Sequence, residues 1–386
     1  MSGTTVQGAP TRAARATVLG AAGLTIMSAA LIAPSLPAMT GEFAGADVLV
    51  RLALTITSLA IAISAPISGA VADRLGRRPL LVGALALYAV AGTAGYFATG
   101  LGPLLVTRVL LGVAVGGLMT AISALITDWF DGGRRAAFLG MQQAAASLGG
   151  VVFLPLAGVL AAVHWRLPFW LYAAGALVLP FALRTVRGIP RTAGPPAAGR
   201  ARNSGRIGGI YLLALVATLV FYMAPTQLPF LLAGFHLGPA VTGAVVACST
   251  LTGAVGALAF PALRGRLAPR VLTAGSITLL GLGWVVIGTA GSAGPVVLGL
   301  LVGGVGVGLV VPDLNLRLAE VAAPARRGRV LSGLVTGIFL GQFLSPLAAQ
   351  PLIEVAGISG AFTWTGAALA AAGCTATALH RNERKS

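Results

Sequence analysis

Charge is what this chain has least of. Only 9% of its 386 residues are charged, nine are acidic, and lysine occurs once, at Lys385. A water-soluble globular chain carries roughly 25% charged residues. A shortage this deep cannot clothe a water-facing surface, so most of the surface is expected to face lipid. Cysteine is nearly absent as well. Cys248 and Cys374 fall in apolar stretches with no CxxC spacing, which leaves a disulfide framework or thiolate metal site without support. The histidines His164, His236 and His380 form no cluster, and no nucleophile–base spacing accompanies them. Neither a metal, a cofactor nor enzyme chemistry is expected.

Apolar residues fill the space that charge leaves, at 57% of the chain, with a mean hydropathy of +0.92. Apolar runs of about 20 residues recur, each long enough to cross ~30 Å of hydrocarbon. The first group lies near Ala16–Ala38, Val48–Ala70, Leu80–Ala98, Leu101–Thr127, Ala136–Val163 and Leu167–Leu183. The second lies near Ile207–Leu232, Val241–Leu263, Val271–Ala290, Pro295–Leu316, Val330–Ile353 and Ala361–Leu379. The spacing predicts an all-α membrane protein with twelve transmembrane helices.

A net charge of +17 raises the question of nucleic acid, and the placement of the charge answers it. Arg12 and Arg15 precede the first run; Arg74, Arg77 and Arg78 follow the second; Arg134 and Arg135 follow the fourth. Arg184 to Arg206 fill the middle; Arg264, Arg266 and Arg270 follow the eighth run, Arg326, Arg327 and Arg329 the tenth, and Arg381, Arg384 and Lys385 the last. Every second connection is basic and those between are nearly free of Lys and Arg, while Glu42, Asp47 and Glu354 sit on the poor side. This alternation predicts basic loops, both termini and the middle linker in the cytoplasm. The charge thus reports topology and contact with anionic lipid rather than nucleic acid. The preference for Arg over Lys suits a GC-rich bacterial genome, hence a bacterial inner membrane. The first run is too long for a signal-peptide core and ends in Ala33-Pro34-Ser35-Leu36-Pro37, which reads as an uncleaved helix.

The chain also repeats itself. Shifted by 192, Pro37 falls on Pro229, Arg74 on Arg266, Arg78 on Arg270, Gly112 on Gly304, Gly116 on Gly308, and Arg134-Arg135 on Arg326-Arg327. The coincidences occur at matching places in the two sets of runs. They predict two six-helix bundles of the same orientation, residues 1–186 and 207–386, joined by a linker at 187–206 rich in Arg, Gly and Pro. Parallel repeats of this kind are the layout of major-facilitator transporters.

One loop carries that resemblance further. Gly69-Ala70-Val71-Ala72-Asp73-Arg74-Leu75-Gly76-Arg77-Arg78 follows the second run. Gly69 allows close helix approach, Gly76 a tight turn, and Asp73, alone among arginines, has to pair or cap a helix. The string resembles the signature loop of the major facilitator superfamily, G-x-x-x-D-R-x-G-R-R. The resemblance implies a secondary transporter for a small molecule, expected to be a monomer. It also implies a conformational latch of Gly69, Asp73, Arg74, Gly76, Arg77 and Arg78, to which Asp128 at the end of the fourth run is added. The degenerate copy Arg264-Gly265-Arg266-Leu267-Ala268-Pro269-Arg270 lacks the Asp and is assigned no latch role.

Direction and driving force rest on weaker matches. Arg108, within Val106-Thr107-Arg108-Val109-Leu110-Leu111-Gly112, is similar to the R-x-x-x-G motif of proton-coupled members; the alternative is an arginine that snorkels to the interface. Leu154-Pro155-Leu156-Ala157-Gly158-Val159 keeps the Pro and one Gly of the drug–proton antiporter signature G-P-x-x-G-G and loses its flanking glycines. Pro34-Ser35-Leu36-Pro37 resembles the P-x-x-P of twelve-helix drug exporters. Asp313, in Val311-Pro312-Asp313-Leu314-Asn315-Leu316-Arg317, reads either as an i,i+4 partner of Arg317 or as the acid that exchanges protons. Asp47, four residues before Arg51, is the alternative carrier, and the first run contains no acid. Gln142, Gln143, Tyr222, Gln227, Asn315 and Gln342 are either helix–helix glue or the substrate pathway. The expected protein is a proton-coupled exporter of small hydrophobic organic molecules. A facilitator or importer of a small metabolite on the same fold is the alternative.

Overall fold

The computed structural model describes residues 10–130, 132–186, 204–321 and 327–383. Most of the expected linker lies outside these residues, as do Arg187, Arg191, Arg200, Arg202 and Arg326; of Arg327, Arg329 and Arg381 only the helical backbone is described, and Arg384 and Lys385 are outside. The fold is all-α. The first set of helices is α1 (Arg12–Ala30), α2 (Leu36–Glu42), α3 (Asp47–Leu75), α4 (Arg77–Ala94), α5 (Leu101–Trp129), α6 (Gly132–Val163) and α7 (Ala174–Thr185). The second is α8 (Ser204–Phe221), α9 (Met223–Gly234), α10 (Pro239–Arg266), α11 (Pro269–Gly288), α12 (Ala293–Val321) and α13 (Arg327–Glu383).

Ten helical stretches among the described residues are long and apolar enough to cross a membrane, against the twelve expected. The first expected span is α1, a 19-residue helix with some side chains outside the described residues, which stops at Ala30 and resumes at Leu36 after a 3-10 turn at Ala33–Ser35. The last two run together as α13. Its Gly357 has φ 70° and ψ 176°, a conformation nearly confined to glycine, and the chain reverses there. Val330 and Ile338 accept from Tyr211 and Thr218, so α13 starts parallel to α8. Beyond Gly357, Gly366 and Gly373 come against Gly281 and Ala274 in descending order along α11.

The repeat read from the residues reappears in the elements. Shifted by 192, α3 falls on 239–267 and α5 on 293–321, against the observed Pro239–Arg266 and Ala293–Val321. The glycines that revealed the repeat make the same contact twice. A Cβ on Gly112 would strike the Thr57 carbonyl and Ala60, and one on Gly304 would strike the Ser249 carbonyl and Thr252, the same positions one repeat later. Glycine there lets α5 lie against α3, and α12 against α10, at backbone distance. Between the two sets, α3 packs on α13 and α6 on α10, which are again equivalent pairings. Large apolar side chains such as Leu177, Leu258 and Val355 stand exposed on the outside, as a lipid-facing surface requires.

Candidate functional site

Four regions carry the expected residues, and the structure keeps them apart. At the basic end, α3 stops at Gly76, whose φ of 100° fits the tight turn expected there. Arg77 opens α4 and reaches Asp128 near the end of α5 at 3.0 Å and Asp73 at 3.6 Å. Arg78 donates to the Leu183 carbonyl at 2.6 Å and so ties in α7. Asp73, Arg77 and Asp128 therefore do meet. They brace helices of the first set to one another, and none of these contacts crosses to the second set. Asp73 and Arg74 face outward, and a Cβ on Gly69 would meet open space, so the close helix approach expected at Gly69 is not made in this state.

Arg108 is neither at the interface nor on the seam between the two sets. It is 1% exposed, enclosed by α4, α5 and the 3-10 turn Leu167–Ala173 that precedes α7. Its Nη2 donates to the Gly92 carbonyl at 3.0 Å and the Ala91 carbonyl at 3.4 Å. Its guanidinium lies over the rings of Phe169 and Tyr172, 4.7 and 5.0 Å from their centroids. Those carbonyls belong to the last turn of α4, where the Gly95 N–H also reaches Gly92, and the negative end of the helix dipole attracts the cation. The guanidinium is held inside the first set, and a structural brace explains its burial.

Asp313 also turns inward, away from the seam. It is 0% exposed on α12 and accepts a 2.5 Å hydrogen bond from Thr273 in the first turn of α11. Arg317 completes the group, 4.0 Å from Asp313 and 2.9 Å from Thr273. One oxygen, Oδ1, has no partner. The i,i+4 pair is thus present, together with an unpaired carboxylate oxygen. Close by, Arg264 and Glu320 form an ion pair of 3.4 Å. The degenerate loop copy has no Asp to mark this pair. The signal was available, since Glu320 is Asp128 shifted by 192.

The seam holds three of the six expected pathway residues. Ser58 on α3 donates to Gln342 on α13 at 2.8 Å, and the Tyr222 hydroxyl looks toward Ser58 without closing a hydrogen bond. Two turns further from the basic end, Arg51 donates to Gln350 at 3.1 Å and covers the Phe230 ring on α9 at 4.6 Å. Thr55 and Ser345 occupy the turns between these two ties on α3 and α13, and both hydroxyls are buried without partners. Gln227 on α9 is 0% exposed with both amide atoms unpartnered. Gln142 and Asn315 are half-buried and Gln143 exposed; Asn315 donates to its own helix at Val311. The i, i+4, i+7 stripe Arg51, Thr55, Ser58 is legible in the sequence as one polar helix face.

Two broken helices bring these groups together. Pro34 and Pro37 deny donors to the carbonyls of Ala30 and Ala33, and Pro225 and Pro229 do the same to Phe221 and Pro225. The helices unwind at Ala33–Ser35 and at Tyr222. Ser35 and Gln227 stand at equivalent positions of the repeat, and the hydroxyl of buried Ser35 also lacks a partner. Discontinuous helices at the meeting of two repeats are the construction that places substrate sites in transporters.

Comparison with known proteins agrees. The family model described as Major Facilitator Superfamily matches residues 18–309 and 210–386, and the chain belongs to that superfamily. Multidrug resistance protein 1 of Bacillus subtilis (strain 168) is 30% identical over 159 residues, 40% of each chain. The hexuronate transporter of the same organism is 30% identical over 113 residues, 29% of this chain and 27% of that one. These matches span well under half of the relatives' length. Among solved structures, the nucleoside transporter NupG superposes with a TM-score of 0.76 at 13% identity, over 94% of this chain and 98% of that one. The chain is a multi-pass membrane transporter that resembles the drug–proton antiporters, rather than an enzyme.

Proposed function

We propose that this chain is a proton-coupled exporter of small hydrophobic organic molecules that works by alternating access. Twelve crossings form two six-helix halves, residues 1–186 and 207–386, joined by a cytoplasmic linker at 187–206. Both termini are cytoplasmic, and the protein acts as a monomer in a bacterial inner membrane. Asp73, Arg77 and Asp128 belong to the cytoplasmic latch. Tyr222, Gln227 and Gln342 line the pathway, with Gln142, Gln143 and Asn315 toward its cytoplasmic mouth. Asp313 carries the proton, and Arg108 acts on coupling through the packing of the first half.

The observation that carries this reading is the seam. The contacts joining the two sets, Arg51 with Gln350, Ser58 with Gln342, and Gly158 with Pro239 and Ala240, lie toward the Arg-poor end. They enclose hydroxyl and amide groups without partners, each of which costs about 1–3 kcal/mol when buried. A permanent seal is built from apolar residues; one that buries unpaired polar atoms is relieved when it opens to water. For proton coupling the support is Asp313, a buried acid with a free oxygen in an apolar helix. Substrate-induced proton release by purified protein should be lost in Asp313→Asn and kept in Asp47→Asn. Release that survives Asp313→Asn refutes the carrier assignment.

A facilitator or importer is favoured by one observation: Asp313 faces Thr273 rather than the seam. A wild type that moves substrate without ever releasing protons decides for that reading.

A further inference from the structure

The polar lining of the seam also bears on what passes through it. This inference rests on the reading above that the seam is the pathway. Four elements pack in succession there: α3 on α13, α13 on α9, and α9 on the 3-10 turn before α2. Each contributes a buried group with at least one atom lacking a partner, from Ser35, Thr55, Gln227 and Ser345. All four are uncharged. Gln227 stands out because its amide is 0% exposed and both its donor and its acceptor are unused. A buried primary amide normally finds partners among its neighbours, and in an apolar seam the alternatives are few.

No carboxylate shares that space. Of the nine acids, Glu42, Asp47 and Glu354 are exposed at the Arg-poor end, and Asp73, Asp128 and Glu320 are in ion pairs at the basic end. Asp313 is enclosed between α12 and α11. Asp131 and Glu383, whose side chains lie outside the described residues, stand in sequence at the basic end. The charge on the seam itself is Arg51, held by Gln350 and Phe230, with Asp47 a turn behind it on the exposed side and Glu354 on the far side of Gln350. An organic cation would leave water for a site with no counter-charge and an arginine at its margin. Burial of a charge without a partner is strongly unfavourable.

We propose that the pathway takes uncharged organic molecules bearing an amide- or hydroxyl-type hydrogen-bonding group, that Gln227 determines this specificity, and that permanent cations are rejected. Gln227 donates through Nε2 and accepts through Oε1, with the Thr55 and Ser345 hydroxyls as adjoining partners. A site built on hydrogen bonds discriminates sharply against ligands that cannot make them.

The test is equilibrium binding to the purified full-length protein. The probes are radiolabelled chloramphenicol and uridine, both neutral with amide and hydroxyl groups, and tetraphenylphosphonium, a permanent cation. The wild type should bind at least one neutral probe saturably and not the cation. Gln227→Leu should weaken neutral binding by tenfold or more. Its melting temperature should stay at or above that of the wild type, because two unpaired buried atoms are removed; a purely structural glutamine would lower it. Gln227→Glu should gain tetraphenylphosphonium binding. Thr55→Val, nearly isosteric, gives a milder second loss should the leucine variant not fold. Cation binding by the wild type as tight as that of a neutral probe, no neutral binding, or undiminished binding by Gln227→Leu and Thr55→Val overturns the proposal. Binding is independent of direction and of protons, so failure of the exporter reading shows up separately, as absence of substrate-driven proton release.

Discussion

Arg108 offers the sharpest test of how the first set of helices is held together. Replacing it with Met keeps most of the stem volume and removes the guanidinium. The hydrogen bond to Gly92 at 3.0 Å is charge-assisted and contributes about 2 kcal/mol. The longer one to Ala91, 3.4 Å, contributes about 1 kcal/mol. The stack on Phe169 and Tyr172 adds about 1 kcal/mol. Against this loss stands the relief of one buried Nη1 without a partner, about 2 kcal/mol. The net destabilisation is about 2 kcal/mol, equivalent to a fall of roughly 4–8 °C in melting temperature for a bundle of this size. Thermal unfolding of the detergent-purified protein, followed by size-exclusion chromatography after heating, measures it. Arg108→Lys keeps the charge but loses the fork that reaches both carbonyls, and should fall between the two. An Arg108→Met protein that melts within about 1 °C of the wild type refutes the brace and returns Arg108 to a purely functional role.

Three further outcomes follow from the basic end and from the topology. Asp73→Asn should abolish transport with near-normal expression and membrane insertion, because Asp73 is exposed and its pairing with Arg77 is loose at 3.6 Å; full transport by this variant ends its assignment to the latch. Glu320→Gln, which breaks the 3.4 Å pair that the counterpart of Asp128 makes with Arg264, should impair transport more than Arg266→Ala, as measured by efflux from loaded vesicles. With Cys248 and Cys374 changed to Ser, Gly265→Cys should react with an impermeant maleimide only from the cytoplasmic side and Gly291→Cys only from outside. Both positions are open, with nothing near their Cβ, so reactivity in intact cells reports the side alone, and labelling of Gly265→Cys there reverses the orientation.

Membrane residence, the repeat and the family were legible in the residues because each depends on local or periodic quantities. Run length against bilayer thickness, alternation of arginine, and the offset of 192 need no knowledge of which helices touch. The turn at Gly76 and the meeting of Arg77 with Asp128 were legible for the same reason, since helix ends on one face of the membrane lie near one another. What a side chain faces was not legible. A period of 3.6 residues says that Arg108 and Asp313 share faces with certain neighbours, but the rotation of each helix is set by packing. Gly92 and Gly95 admit the rings of Tyr172 and Phe169, and those rings, with the carbonyls of Ala91 and Gly92, draw Arg108 into the first set. The small Thr273 in the first turn of α11 does the same for Asp313. The seam is the other thing only the tertiary structure decided. Ser35, Thr55, Gln227 and Ser345 are far apart in sequence and unremarkable singly. Two proline-broken helices and the pairing of α3 with α13 leave each of these groups buried without a partner where the two sets pack. That convergence depends on how two bundles dock, and no periodicity within either bundle encodes it.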